Sequence, residues 1–209
     1  KASAGSQGND GIGSFRYTDT YMLLNNEGTA GLGFNDKGNE NITWETNMTV
    51  NVGADFDFFR GRLSGSVEYF YKKTSDMLYF FSLPSSIGYN GYYDNIGDMR
   101  NTGVEVDLHG VLMRRQNFNW DAYLNFTHYT NKVLLIPEKN KIGSVEGYPG
   151  FANGSKFVGE GLPFNTFYLK KYAGVDHETG LSMWYRDEYD DNGNVVGQTK
   201  TSTYEEASY

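Results

Sequence analysis

The chain has 209 residues, no cysteine and a formal net charge of −8. The missing cysteine excludes a disulfide framework and a thiolate metal site. An acidic balance without a basic cluster argues against a nucleic-acid partner. No run of about 18 apolar residues occurs, which excludes a membrane-spanning helix but not a barrel strand, whose alternation leaves the mean hydropathy unremarkable. Aromatic residues are abundant, with 17 Tyr, 14 Phe and 3 Trp.

In chain order, residues 1–14 are rich in Gly, Ser and Asn and read as loop. Phe15 to Leu24 is a candidate strand, and Asn25 to Asn41 returns to loop composition. Trp44 to Phe58 carries the clearest pattern. Its even positions are apolar except Thr46 (Trp44, Met48, Val50, Val52, Ala54, Phe56, Phe58), and its odd positions are polar or Gly. Period two means a strand with one apolar and one wet face. A run of about 15 residues exceeds the usual 5–6 of a globular strand and suits a strand crossing a bilayer in a barrel.

Phe59-Arg60-Gly61-Arg62 reads as a short turn, followed by a strand from Leu63 to about Leu78. Leu83 to Arg100, with Pro84 and three Gly, reads as a long loop. Val104, Val106, Leu108 and Leu112 alternate with Glu105, Asp107 and His109 in a further strand. A short turn near Arg114 to Asn117 leads into Phe118 to Val133. Leu134 to Ser155 reads as loop and Phe157 to Val175 as a weaker strand. Asp176 to Gly180 is a turn, Leu181 to Tyr185 begins another strand, and Asn192-Gly193 carries hairpin chemistry. Thr199 to Tyr209 shows no pattern. Short turns thus alternate with long loops, as in outer-membrane barrels. Phe58, Phe59, Phe118 and Trp120 flank short turns, where an aromatic girdle would sit. The chain begins at Lys1, without an initiator Met or signal peptide, and reads as a processed or cut piece.

Four stretches resemble the SusC/RagA family of TonB-dependent outer-membrane transporters of Bacteroidetes: Ile42 to Leu78 (ITWETNMTVNVGADFDFFRGRLSGSVEYFYKKTSDML), Asn95 to Leu108 (NIGDMRNTGVEVDL), Phe118 to Ile136 and Tyr172 to Gly180 (YAGVDHETG). In the last, His177 stands where the family usually has Pro. The resemblance implies an all-β fold: an antiparallel transmembrane β-barrel segment, with residues 1–209 part of one barrel domain of about 22 strands. About seven strands would lie here, with long extracellular loops, without the plug or TonB box. It further implies import of a large nutrient across the bacterial cell outer membrane, usually an oligosaccharide and in some members a peptide. A SusD-like surface lipoprotein, TonB (through the missing N-terminal part) and outer-membrane lipid are the implied partners. The rival reading is a soluble all-β carbohydrate-binding module with shorter strands.

No catalytic, metal or cofactor motif appears. His109, His128 and His177 lack metal-ligand spacing. Glu68, Glu105, Asp107 and Asp121 could be imagined as a glycosidase pair, but they repeat at strand period and suit a hydrated lumen. Glu188 to Gly193 resembles a calcium loop only in part, since Thr199 replaces the bidentate Glu at position twelve. The candidate ligand contacts are Tyr89, Asn90, Tyr92, Tyr93 and Asp94, with Trp184 on the same grounds. Their rings could stack on sugar faces while the amide and carboxylate meet hydroxyls; the competing expectation is that they pack the loop.

Overall fold

The computed structural model describes residues 1–89, 91–191 and 195–209, apart from the side chains of Asn26 and Ser85. Asn90 and the Asn192-Gly193 turn lie outside the described residues. The chain divides into two compact units, residues 1–153 with 158–164, and residues 154–157 with 165–209.

The described strands, in chain order, are β1 (Ala2–Asn9), β2 (Thr20–Asn26), β3 (Thr29–Asp36), β4 (Glu45–Phe58), β5 (Leu63–Ser75), β6 (Leu78–Ser82), β7 (Gly91–Asn95), β8 (Asp98–Arg115) and β9 (Phe118–Leu135). There follow β10 (Gly143–Val145), β11 (Tyr148–Asn153), β12 (Lys156–Gly159), β13 (Thr166–Phe167), β14 (Tyr172–Val175), β15 (Ser182–Tyr189) and β16 (Val195–Thr201). In the first unit a five-stranded antiparallel sheet runs in the order β1-β4-β5-β8-β9. Strands β4, β5, β8 and β9 have 14, 13, 18 and 18 residues, well beyond a soluble strand and long enough to cross a bilayer at a tilt.

Across the middle rows the pairing keeps the faces distinct, whereas the row Met48, Lys73, Arg100, Lys132 puts cations on the apolar side and the row Asn51, Phe70, Gly103, Tyr129 puts two rings on the polar side. Val52 pairs with Tyr69, Tyr69 with Val104, and Val104 with His128. The next rows are Ala54, Val67, Val106, Phe126 and then Phe56, Gly65, Leu108, Leu124. Residues opposite one another share a face, so one register error would exchange the two sets. On the other face the rows read Thr49, Lys72, Asn101, Asn131 and Gly53, Glu68, Glu105, Thr127, then Asp55, Ser66, Asp107, Asn125. The alternation breaks at a bulge near Leu112, so that Val111 pairs with Asp121 and Met113 with Trp120. Leu112 therefore leaves the series expected for Val104, Val106 and Leu108, because a bulge inserts one unpaired residue.

Phe58, Phe59, Phe118 and Trp120 lie at the end of the sheet that carries the short turns, and all are exposed. The β4–β5 turn is the one expected: Phe59, Arg60 and Gly61 have φ of 57°, 58° and 80°, and the Asp57 carboxylate accepts the Gly61 N–H at 2.9 Å. At the opposite end the connections are long and carry the packed core. Ile96, Val133, Ile136, Phe151 and Val158, all but inaccessible, cluster with Met77. On the polar face the row Asn47, Thr74, Met99, Val133 turns apolar at its last two members, and there these segments pack. Gly150 must lack a side chain, since a Cβ would strike the Val158 carbonyl.

Several expectations are corrected. Residues 1–14 are not all loop, because β1 pairs in full with β4 from Ala2↔Val52 to Asn9↔Glu45; pairing overrides the poor strand propensity of Ser, Gly and Ala. The first candidate strand starts at Thr20 rather than Phe15, whose φ of 62° places it in a turn. Asn25 to Asn41 contains β3, joined to β2 through Glu27-Gly28 with φ of 51° and 86°. The same Glu-Gly pair, Glu146-Gly147 with φ of 49° and 81°, joins β10 and β11 inside the expected loop Leu134 to Ser155. Both have the positive φ pair of a type I′ turn, with Glu where Asn or Asp is the usual signal. The strand Leu63 to Leu78 breaks at Asp76, whose φ is 53°. The loop Leu83 to Arg100 contains β7 and the start of β8.

In the second unit, Phe157 to Val175 is not one strand: Phe157 pairs with Thr166 in a short hairpin, and β14 follows separately. Strands β14, β15 and β16 form an antiparallel meander, giving structure to part of the unpatterned Thr199 to Tyr209. The expected turn at Asp176 is present. Its carboxylate accepts the N–H groups of Glu178 at 2.7 Å and Thr179 at 3.2 Å, which holds it below the ordinary Asp range.

Candidate functional site

Two features of the first unit carry polar chemistry: the hairpin β6–β7 and the polar face of the five-stranded sheet. In the hairpin, Phe81 pairs with Tyr92, Phe80 with Tyr93 and Tyr79 with Asp94. Tyr92 stacks on Phe81 with centroids 5.5 Å apart and planes at 19°. Burial, with the Asp94 carboxylate nearby, raises its phenol above the usual value. Tyr93 meets Phe80 at 5.1 Å, and the Arg16 guanidinium lies 5.3 Å from its centroid. Tyr89 packs on Phe34 at 5.2 Å.

Asp94 is 5% exposed. Lys139 donates to it at 2.7 Å and Asn39 at 2.9 Å. Asn95 extends the tie: its amide donates to the carbonyls of Thr43 and Asp76, and its side-chain oxygen accepts the Thr43 N–H at 2.9 Å. Asp94 and Asn95 thus fasten segments distant in sequence, because an unpartnered buried acceptor or donor would be costly. Asp94→Ala removes the acceptor of Lys139 and leaves the Asn39 amide with the Tyr93 carbonyl alone, and should cost about 1–3 kcal/mol of local stability, read as faster hydrogen exchange in residues 37–43 with the sheet unchanged.

The structure brings Tyr89, Tyr92, Tyr93 and Asp94 into one hairpin region, each against a ring, cation or polar partner. Trp184 belongs to the second unit, where its ring meets Tyr204 at 5.2 Å and Tyr172 at 6.5 Å.

The polar face holds a cavity of about 650 Å³ that the sequence did not indicate. It is lined by Gln7 and Asn9 of β1, Glu45, Asn47 and Thr49 of β4, Lys72 and Thr74 of β5, and Asn101 of β8, with Met77 and Met99. Only the register juxtaposes these residues; β1, read as loop, supplies one wall. Glu45 accepts from Asn47 at 2.8 Å, from the Leu78 N–H at 3.3 Å and from Asn9 at 3.4 Å. Asn47 accepts the Thr74 hydroxyl at 2.7 Å, and Asn131 donates to Asn101 at 2.7 Å and to the Met99 sulfur at 3.1 Å. Further along this face Glu68 pairs with Glu105 across the strands. Lys1 neutralises part of the stripe, at 2.8 Å from Asp55 and 3.4 Å from Glu68. His109 stacks on Tyr123 at 4.4 Å, with Asp121 at 3.5 Å. Among the described residues no group of three His, Asp or Glu is placed to hold a metal.

A long, face-segregated antiparallel sheet with exposed apolar residues on one side has the construction of a large barrel wall, and comparison with known proteins agrees. The model of the TonB-dependent receptor-like β-barrel family matches residues 3–209. The chain belongs to that family. TonB-dependent receptor P26 of Formosa agariphila is 32% identical over 171 residues, which are 79% of this chain and 17% of the relative. TonB-dependent receptor SusC of Bacteroides thetaiotaomicron is 32% identical over 99 residues, 47% of this chain and 10% of the relative. A structure described as the RagAB peptide transporter superposes with a TM-score of 0.77 at 30% identity, covering all of this chain and 22% of the matched one. This TonB-dependent receptor barrel segment spans about a fifth of the length of such relatives. The SusC/RagA resemblance and the β-barrel fold are thereby established, and the soluble-module rival loses its basis.

Beyond β9 the family member's segment folds back on the sheet. The Val133 N–H donates to the Leu162 carbonyl at 2.8 Å and the Gly161 N–H to the Val133 carbonyl at 2.9 Å. Glu160 accepts from Lys141 at 3.1 Å and from the Ile136 N–H at 3.2 Å. These bonds, Lys141 first, hold its carboxyl below the ordinary range. A depressed carboxylate stabilises fully above its unfolded pKa and ceases to do so as pH falls through its folded value. Acidifying through and below the ordinary Glu range should therefore release this tether progressively, seen as faster exchange at the Ile136 amide relative to a Glu160→Gln variant.

Proposed function

We propose that this chain forms part of the wall and outer loops of a TonB-dependent transporter in the bacterial outer membrane, importing an oligomeric nutrient, an oligosaccharide or a peptide. The observation that carries this reading is the alternation kept in register across the middle rows of β4, β5, β8 and β9. The apolar face meets lipid. The opposite face, with Asn51, Asp55, Asp57, Glu68, Glu105 and Asp107, lines water. Aromatic rings at the short-turn end mark the periplasmic interface, so the cavity and the hairpin β6–β7 lie toward the outside.

In this reading the segment guides and confines the nutrient and catalyses nothing. Its polar groups hydrate the path, and its lipid-facing side keeps backbone amides satisfied within the bilayer through closed pairing. A SusD-like surface lipoprotein would cover the outer mouth, and TonB would supply work through parts of the receptor outside this chain. Contact with the nutrient falls first on accessible edges of Tyr89 and Tyr93, with Asn90 between them in sequence and Trp184 as a further contact; Tyr92 and Asp94 support the hairpin. The similar RagAB structures are described as a peptide importer and a peptide transporter, which gives peptide standing beside oligosaccharide.

The test is nutrient depletion. Strains of the source organism lacking the receptor, and strains lacking TonB, are grown on mixed oligosaccharide and peptide fractions. One oligomer class should persist in the medium of both strains and disappear with the parent. Equal depletion by all three would contradict import.

A further inference from the structure

We infer that the cavity between β1, β4, β5 and β8 is a subsite for the terminal carboxylate of a short peptide, with Lys72 as its cation. This inference rests on the importer reading and adds the chemistry of what is bound.

The lining is asymmetric in what it leaves unused. The negative charge and two amide oxygens are engaged: Glu45 by Asn47, Asn9 and the Leu78 N–H, the Asn47 oxygen by Thr74, and the Asn101 oxygen by Asn131. The positive charge is left over. The Lys72 side chain has no ion pair or hydrogen bond among the described residues, and the side chains of Gln7 and Thr49, each both donor and acceptor, have no hydrogen bond there either. The Asn101 amide N–H₂ likewise donates to nothing there, since only its oxygen is engaged. A site with one free ammonium and several free neutral donors is complementary to an anion with adjacent polar groups, and charge-assisted bonds to a carboxylate are the strong ones available. Glu45 is the opposing charge in the same lining, and its oxygens are turned to three neutral donors.

Two observations favour a peptide over an acidic sugar. Among the described residues no aromatic ring lines the cavity, so they offer no platform for a sugar face. The apolar floor is Met77 and Met99, whose unbranched thioethers adapt to varied aliphatic side chains. Deeper on the same face Glu105, four residues from Asn101 along β8, has no partner among the described residues. Four residues of strand span about 13 Å, the length of an extended tetrapeptide. A peptide seated with its carboxylate at Lys72 would bring its ammonium toward Glu105.

The test uses the whole purified receptor, wild type and Lys72→Gln, with calorimetric titration of tetra-alanine, its C-terminal amide, and trigalacturonate. Both proteins must show the same heat-modifiable mobility, so that folding is equal. Wild type should bind tetra-alanine about tenfold more tightly than the amide, the effect of one charge-assisted contact. Lys72→Gln should bind both forms alike, at the level of the amide. Equal binding of acid and amide by wild type, or no binding of either, overturns the site. So does an acid preference that survives in Lys72→Gln, or tighter binding of trigalacturonate than of tetra-alanine. Receptor-dependent nutrient depletion with any of these outcomes would leave the importer reading standing. The expected binding without such depletion would leave the site standing and remove the importer.

Discussion

Val52→Arg or Leu124→Arg should destabilise the folded barrel by about 2–4 kcal/mol where the position lies near the bilayer midplane. Val52 sits between Ala2 of β1 and Tyr69 of β5 on the apolar face, and Leu124 pairs with Leu108. Both are more than half exposed in this wall, so the cost comes from placing a guanidinium in hydrocarbon rather than from lost packing. Asn51→Arg, one residue away on the water-lining face, should be tolerated. Urea titration of the receptor refolded in lipid vesicles, followed by tryptophan fluorescence, measures the difference. Equal sensitivity at Val52 and Asn51 would contradict the assignment of the two faces.

Phe151→Ala should cost about 3–5 kcal/mol, the range for emptying a buried aromatic site. Phe151 is 1% exposed. It packs on Phe81 at 4.9 Å and Tyr79 at 5.5 Å, within the cluster of Ile96, Val133, Ile136 and Val158. The loss should be local. Hydrogen exchange should accelerate in residues 77–81, 133–136 and 158–161 while the middle of β4 and β5 stays protected. Slow exchange throughout would mean that the outer segments do not depend on this core.

What was legible in the sequence is the transmembrane wall. Trp44 to Phe58 and Phe118 to Thr127 alternate because one face is apolar and the other wet, and that contrast is written in residue type. The outer segments were harder for physical reasons. In β1 the residues ASAGSQGN have no apolar face, and they form a strand through pairing with β4. The two Glu-Gly turns adopt the backbone of Asn-Gly turns without their usual first residue. The core around Ile96, Val133 and Phe151 joins residues far apart in sequence that no local period connects.

The candidate site was legible in part. Tyr89, Tyr92, Tyr93 and Asp94 do gather in one hairpin region, but local composition could not reveal that Asp94 is bound to Lys139 and Asn39. The cavity at Lys72 was not legible as a cavity, since its lining comes from four strands set side by side by register. Its one signal was indirect: the wet residues of successive strands fall on the same face.

The most direct test of the central claim is site-directed spin labelling along Trp44 to Phe58 in the membrane-embedded receptor, a chain segment without native cysteine. Accessibility to oxygen, which partitions into lipid, is compared with accessibility to a water-soluble nickel chelate. A lipid-facing and water-lining strand predicts oxygen maxima at Met48, Val50, Val52 and Ala54, and nickel maxima at Asn47, Thr49, Asn51 and Gly53, out of phase with period two. Even positions shielded from both reagents would mean that the apolar face is buried in protein, and would contradict the transmembrane barrel wall.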